Sequence, residues 1–238
     1  MAPEKGHNVA NGPLAISRLG ETDTREAQNT RAIKWLLEQE GGTVVVVTPR
    51  REFSGESLKR LVAHPGVSHY VWRGFSGGSF AGHRVLHAWP DRKHFNDVWE
   101  AKADALVVIE WNTNESTEWI ADSNPLQLFP EGSVTPDPQQ RAELEPLPED
   151  VERILEHIAH MATGYSTGLK WNEEDKLKAD MMNRPQRWKS VTVEQVRSKC
   201  RELGMSPADA DTVAGYVQRR KEGRRFNVQS SYRTFHFN

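Results

Sequence analysis

The chain has 238 residues, 37% of them hydrophobic, which is enough for one large core or two small ones. Its single cysteine, Cys200, excludes a disulfide framework and a cysteine-ligated zinc site, and no apolar run approaches the roughly 20 residues of a membrane-crossing helix. The formal charge of −2 conceals an asymmetry, with 22 acids against 15 bases over residues 1–150 and 11 against 16 over 151–238, so the two parts are expected to meet different partners.

Residues 1–20 are polar with Gly and Pro and are expected to form a flexible arm. The stretch from Met1 to Pro13 lacks the charged-then-apolar pattern of a signal peptide, which makes the cytoplasm the expected location. From Thr24 to Glu40, Ala27, Ile33, Trp35, Leu36 and Leu37 give one apolar helix face, stopped by Gly41-Gly42. Thr43 to Thr48 is a continuous apolar and β-branched run, the mark of a strand buried on both faces, and Pro49 closes it. A helix over Gly55–Ala63 and strands over Val67–Trp72 and Arg84–Trp89 follow, the two strands joined by the glycine-rich segment Gly74–Gly82. Phe75 and Phe80 in that segment are candidate partner contacts, because aromatics on an exposed loop can anchor an interface.

Phe95–Lys102 reads as a helix and Ala105–Ile109 as a second doubly buried strand; a short helix near Glu115–Ala121 and the segment Pro125–Phe129 complete the alternation. The fold class this predicts for residues 21–130 is a three-layer α/β domain with a mostly parallel sheet. Pro130, Pro136, Pro138, Pro146 and Pro148, amid acids and few apolar residues, predict a semi-extended linker over 131–150. Residues 151–238 read as a small, mainly α-helical, basic domain. Val151, Ile154, Leu155 and Ile158 form its first stripe, and further helices are expected over 172–182, 193–203 and 207–222. The tail from Arg225 to Asn238 either docks as a short strand or stays loose.

Val44-Val45-Val46-Val47-Thr48-Pro49-Arg50-Arg51-Glu52 resembles the strand and TPxRE segment of the superfamily two helicase core, a RecA-like α/β fold. In the same comparison Ala105–Glu110 stands where the Walker B strand would, and Gly20-Glu21-Thr22-Asp23-Thr24 where a phosphate-binding turn would. The resemblance spans about residues 18–125. It departs where the chemistry would be. Glu21 and Asp23 repel phosphate where a lysine would attract it, and Glu110 stands without a second acid to hold magnesium. The resemblance therefore implies a degenerate relative, and no cofactor is expected.

His83, His87 and His94, with Asp91, match no metal-ligand spacing, and Cys200 falls in an apolar helical stripe. No metal site and no catalytic residue are assigned. Val193–Gly204 followed by Ser206-Pro207-Ala208-Asp209 resembles a helix-turn-helix or SAP-like unit, although Asp209 and Asp211 would face phosphates and Lys199 occupies an ordinarily apolar position. Arg219, Arg220, Lys221, Arg224 and Arg225, with Arg187 and Lys189, are the candidate nucleic-acid or partner-binding residues. The function expected is a non-enzymatic accessory factor of recombination, replication or transcription, of a phage or mobile element, that engages DNA or a DNA-bound protein. The alternative is a nucleotide-binding hydrolase or nuclease using the α/β domain. The oligomeric state is left open.

Overall fold

The computed structural model describes residues 12–73, 77–99, 101–135, 144–162 and 168–238. The chain divides into two compact units, Met1–Arg141 and Ala142–Asn238.

In the first unit, strands β1 (Leu14–Ser17), β2 (Val44–Thr48), β3 (Val67–Val71), β4 (Arg84–Ala88), β5 (Ala105–Ile109), β6 (Leu126–Phe129) and β7 (Gly132–Val134) form one sheet. Its order is β3-β2-β4-β5-β1-β6-β7, and every neighbouring pair is parallel except β6–β7. Helices α1 (Arg25–Leu37), α2 (Glu56–Val62), α3 (Arg92–Trp99) and α4 (Thr113–Ser123) connect the strands. Ala32 and Leu36 of α1 and Leu58 of α2 pack on one face with Val44, Val46, Leu86 and Val107. Phe95 and Val98 of α3 and Trp119 of α4 pack on the other with Val45, Val47, Val85 and Val108. Alternate residues of each central strand thus serve opposite layers, which is why β2 and β5 read as unbroken apolar runs.

The flexible arm needs correction, because Leu14–Ser17 is a central strand registered with β5 on one side and β6 on the other. Ala15 and Ile16 are wholly buried. Four residues carry too little periodicity to announce a strand, and pairing on both edges fixes this one. The linker is shorter than expected at both ends. β7 occupies Gly132–Val134, and the next helix begins at Glu149. Pro136, Pro138 and Arg141 lie outside the described residues.

In the second unit the described residues form α5 (Glu149–Ala162), α6 (Trp171–Asn183), α7 (Val193–Glu202) and α8 (Pro207–Lys221). Val151, Leu155 and Ile158 pack with Leu177, Met181, Val196, Cys200, Val213 and Val217. Burial pushes the Cys200 thiol up to about 12, so it remains a protonated core group. A capping box at Thr192 and Gln195 starts α7, and Ser206 caps α8 with Pro207 in its first turn. The tail docks as coil and a short 3-10 turn, with no strand. Asn183 donates to the carbonyls of Arg233 and Phe235 at 2.9 and 2.8 Å. Buried Asp180 accepts from Arg187, the Trp188 indole and the Phe237 N–H, each at 2.8–2.9 Å.

Among the described residues no helix is long and apolar enough to cross a membrane.

Candidate functional site

β2 and β4 are neighbours, yet their chains leave to helices on opposite faces, and the same holds for β5 and β1. Parallel sheets open a crevice at such switch points, outside the carboxyl ends of the strands. A cavity of about 590 Å³ lies there. Its walls come from the residues that immediately follow the strands: Trp72 after β3, Trp89 after β4 and Trp111 after β5, with Phe53 from the loop after β2. The rings meet edge to face, Phe53 and Trp89 at 6.2 Å and Trp89 and Trp111 at 6.3 Å. Trp89 holds φ at 56°, a left-handed conformation uncommon for a bulky residue, while its N–H donates to the Ile109 carbonyl at 2.9 Å.

Polar groups complete the lining. Asn29 on α1 is 1% exposed, and its Oδ1 has no hydrogen-bond partner among the described residues. Burial opposes ionisation of Glu26, but the Ser57 N–H at 2.6 Å and neighbouring donors outweigh it and hold the carboxyl below its ordinary range. Asp91 behaves alike, with burial outweighed by the His94 N–H at 3.0 Å and ring Nδ1 at 2.6 Å. Glu115 is pushed up, first by burial and then by the charge of Asp91. Arg25 stacks 4.5 Å over Trp111 and donates to the carbonyls of Glu110 and Trp111 at 2.9 and 3.1 Å.

Of the acids marked by the helicase resemblance, Glu110 and Asp23 turn inward, while Glu21 is exposed. Glu110, 5% exposed, accepts from Ser116 and from Arg18 Nε at 3.3 Å. Asp23 pairs with Arg31. Gln28 bridges the carbonyls of Ser17 and Glu110 at 2.8 and 2.9 Å, which ties α1 to the ends of β1 and β5. Of the three histidines, His87 and His94 both stack on Trp72 while His83 stands apart. His83 bonds Thr43 at 2.8 Å, His94 stacks on Trp72 at 4.1 Å, and His87 is buried beneath the crevice. No group of three or more His, Cys, Asp or Glu is placed to hold a metal among the described residues.

Phe80 requires correction as a partner contact. It is wholly buried, packed against Val85 and Phe95, because a 3-10 turn over Gly77–Phe80 folds the loop onto the sheet. Phe75 lies outside the described residues.

The basic residues of the second unit sort into two kinds. Arg187 is withdrawn from the candidate interface, since it pairs with Asp150 and Asp180, both at 2.8 Å, and also donates to the Phe237 carbonyl. Lys189 is exposed on its own stretch after α6. At the end of α8, Arg220 is half-buried and closes on the Arg224 carbonyl at 2.5 Å, and Arg224 pairs with Glu222 at 3.1 Å. Arg219, Lys221 and Arg225 are exposed and meet no carboxylate among the described residues, although Arg219 also stacks 5.1 Å from Phe226. The departures from the helix-turn-helix pattern have local partners: Asp209 joins the Ser206 cap, Asp211 pairs with Arg197, and Lys199 pairs with Glu152 and Glu202.

Comparison with protein-family models, with curated proteins and with solved structures finds no match to this chain. What the fold defines is an α/β unit on a mostly parallel seven-stranded sheet, followed by a unit whose described elements are helical. The aromatic crevice was not singled out from the sequence. The available signal was positional, a tryptophan as the last residue of two predicted strands and two residues beyond the end of a third.

Proposed function

We propose that the protein is a non-catalytic accessory factor whose basic helical domain engages DNA, directly or through a DNA-bound protein, while the α/β unit serves as a scaffold. The observation that carries this reading is the end of α8, where Arg219, Lys221 and Arg225 stand exposed without acid partners among the described residues. Cations there also suit the negative end of the helix dipole, so the cluster rests on a rigid, favourable support. Such groups contact phosphates and do not read bases, which implies binding that ignores sequence. The accessory role is supported by the inward pairing of Glu110, the acid that magnesium-dependent hydrolysis would call on, and by Asp23, an acid paired with Arg31 where a phosphate-binding lysine would stand. A cytoplasmic setting and a degenerate helicase-like origin for the scaffold belong to the same proposal.

The experiment is a fluorescence-anisotropy titration of the full chain with two unrelated duplexes. Both should bind with similar affinity, and Arg219→Ala/Lys221→Ala/Arg225→Ala should weaken both about tenfold or more. A variant that binds like the parent would contradict the assignment of this interface.

A further inference from the structure

We propose that the crevice of the first unit binds a planar cation of the guanidinium or amidinium class. This site belongs to the first unit and does not depend on the function proposed for the second. Three features of the cavity and the shape of a guanidinium support this chemistry, while the buried indole N–H groups of Trp72 and Trp89, unpartnered among the described residues, call for an acceptor elsewhere on the ligand.

The first is an acceptor without a donor. Asn29 is almost completely buried, and its Oδ1 is unpartnered among the described residues. A buried acceptor left unpaired costs roughly 1–3 kcal/mol, and because Asn29 lines the cavity, turning its amide towards a ligand N–H recovers that cost.

The second is the wall. Phe53, Trp72, Trp89 and Trp111 contribute π surface, whose faces are electron-rich and attract cations within about 6 Å. Trp111 already accepts the Arg25 guanidinium at 4.5 Å, so the protein itself displays the geometry.

The third is charge. Glu26, Glu52, Asp91 and Glu115 line the cavity against Arg25 and Arg50. Arg25 is spent on two carbonyls and Trp111, Glu26 on Ser57, and Asp91 on His94. Glu52 and Glu115 remain, facing Arg50. Glu115 is pushed up first by burial and then by the charge of Asp91, a displacement that a cation beside it would oppose. A phosphate-bearing ligand would add to this negative field, whereas a cation would relieve it.

The fourth is shape. A guanidinium presents up to five N–H donors in one plane, so it can stack on an indole while donating in-plane to a carboxylate and an amide oxygen. An ammonium has no plane to stack and only three donors.

The cation could come as a free small molecule or as an arginine side chain of a peptide, and the test separates these sources. The full chain is titrated with agmatine, with a short peptide carrying one arginine, with the same peptide carrying citrulline, and with adenosine and ATP. Tryptophan fluorescence and calorimetry are the readouts, since Trp111 is 59% exposed. Saturable binding of agmatine and of the arginine peptide is expected, with the citrulline peptide at least about tenfold weaker. Equal affinity for the two guanidinium compounds identifies a free cation as sufficient, and a tenfold advantage of the peptide identifies an arginine side chain. Glu115→Gln should weaken both about tenfold while leaving the thermal midpoint within a few degrees. Glu52→Gln, at an exposed position, provides the same comparison if Glu115→Gln folds poorly. Tighter binding of adenosine or ATP than of agmatine overturns the proposal. So does the absence of saturable binding by either guanidinium compound, or unchanged affinity in both variants.

Discussion

His87 sits beneath the crevice with its ring wholly buried and is pushed down to about 3, first by burial and then by the nearby charge of His94. It stays neutral in the folded protein while the unfolded chain takes up a proton near pH 6.5. The unfolded state therefore binds more protons below that pH, and the stability of the first unit falls as the pH drops from about 6.5 towards 3. The slope is about 1.4 kcal/mol per pH unit for one such histidine. His69, bonded to Thr48 and held down by burial and by Arg51, acts in the same direction. Carboxyls held low, such as Asp91 and Glu26, add their loss only as the pH falls through the carboxylate range. Thermal melts between pH 7 and pH 5 should show the midpoint falling, and His87→Phe should flatten that limb. An unchanged limb would mean that His87 is protonated in the folded state. At this scale the sequence was legible for types and silent about partners. Glu110 was marked as an acid at a strand end, but the partner at its Oε2, Arg18, is 92 residues away in the chain.

Long, doubly buried elements were legible because their patterns are long. β2 and β5 were read as unbroken apolar runs, and α7 and α8 from glycine, serine and proline at their junction. β1 and β7 were missed because three or four residues carry no period, and neighbouring strands decide their fate. The tail likewise depends on distant partners. Asp180 on α6 gathers Arg187, Trp188 and the Phe237 N–H with no exposure to solvent. While Arg187 keeps Asp150, removing Asp180 leaves the Trp188 indole and the Phe237 N–H without their acceptor, which costs about 1–3 kcal/mol for each donor left unpaired. Asp180→Ala should therefore lower the stability of the second unit by about that amount and release residues 226–238 from α6. Hydrogen exchange should show early labelling of the Phe237 amide in the variant and protection in the parent. Equal protection in both would mean that the tail is held by its other contacts, the Asn183 bonds to Arg233 and Phe235 and the stacking of His157 against Phe237 among them.

Each unit has a hydrophobic core of its own, two layers about the sheet in the first and one helical cluster in the second. Residues 12–135 and 144–238, produced separately, should each melt cooperatively. Failure of either fragment to do so would show that its core needs the rest of the chain. The charge asymmetry visible in the composition survives at this scale only in part, because Arg187, Arg197 and Lys199 are taken up by internal acids. What remains outward at the end of α8 is Arg219, Lys221 and Arg225, and the proposed DNA engagement rests on them. The most direct measurement is the salt dependence of duplex binding, taken as log affinity against log salt for the parent and the Ala triple variant. Each phosphate contact contributes a slope of about −0.9, so losing three contacts should flatten the line by up to about 2.7. That flattening, equal on unrelated sequences, is the result the proposal predicts. Parallel lines for the two proteins would contradict it.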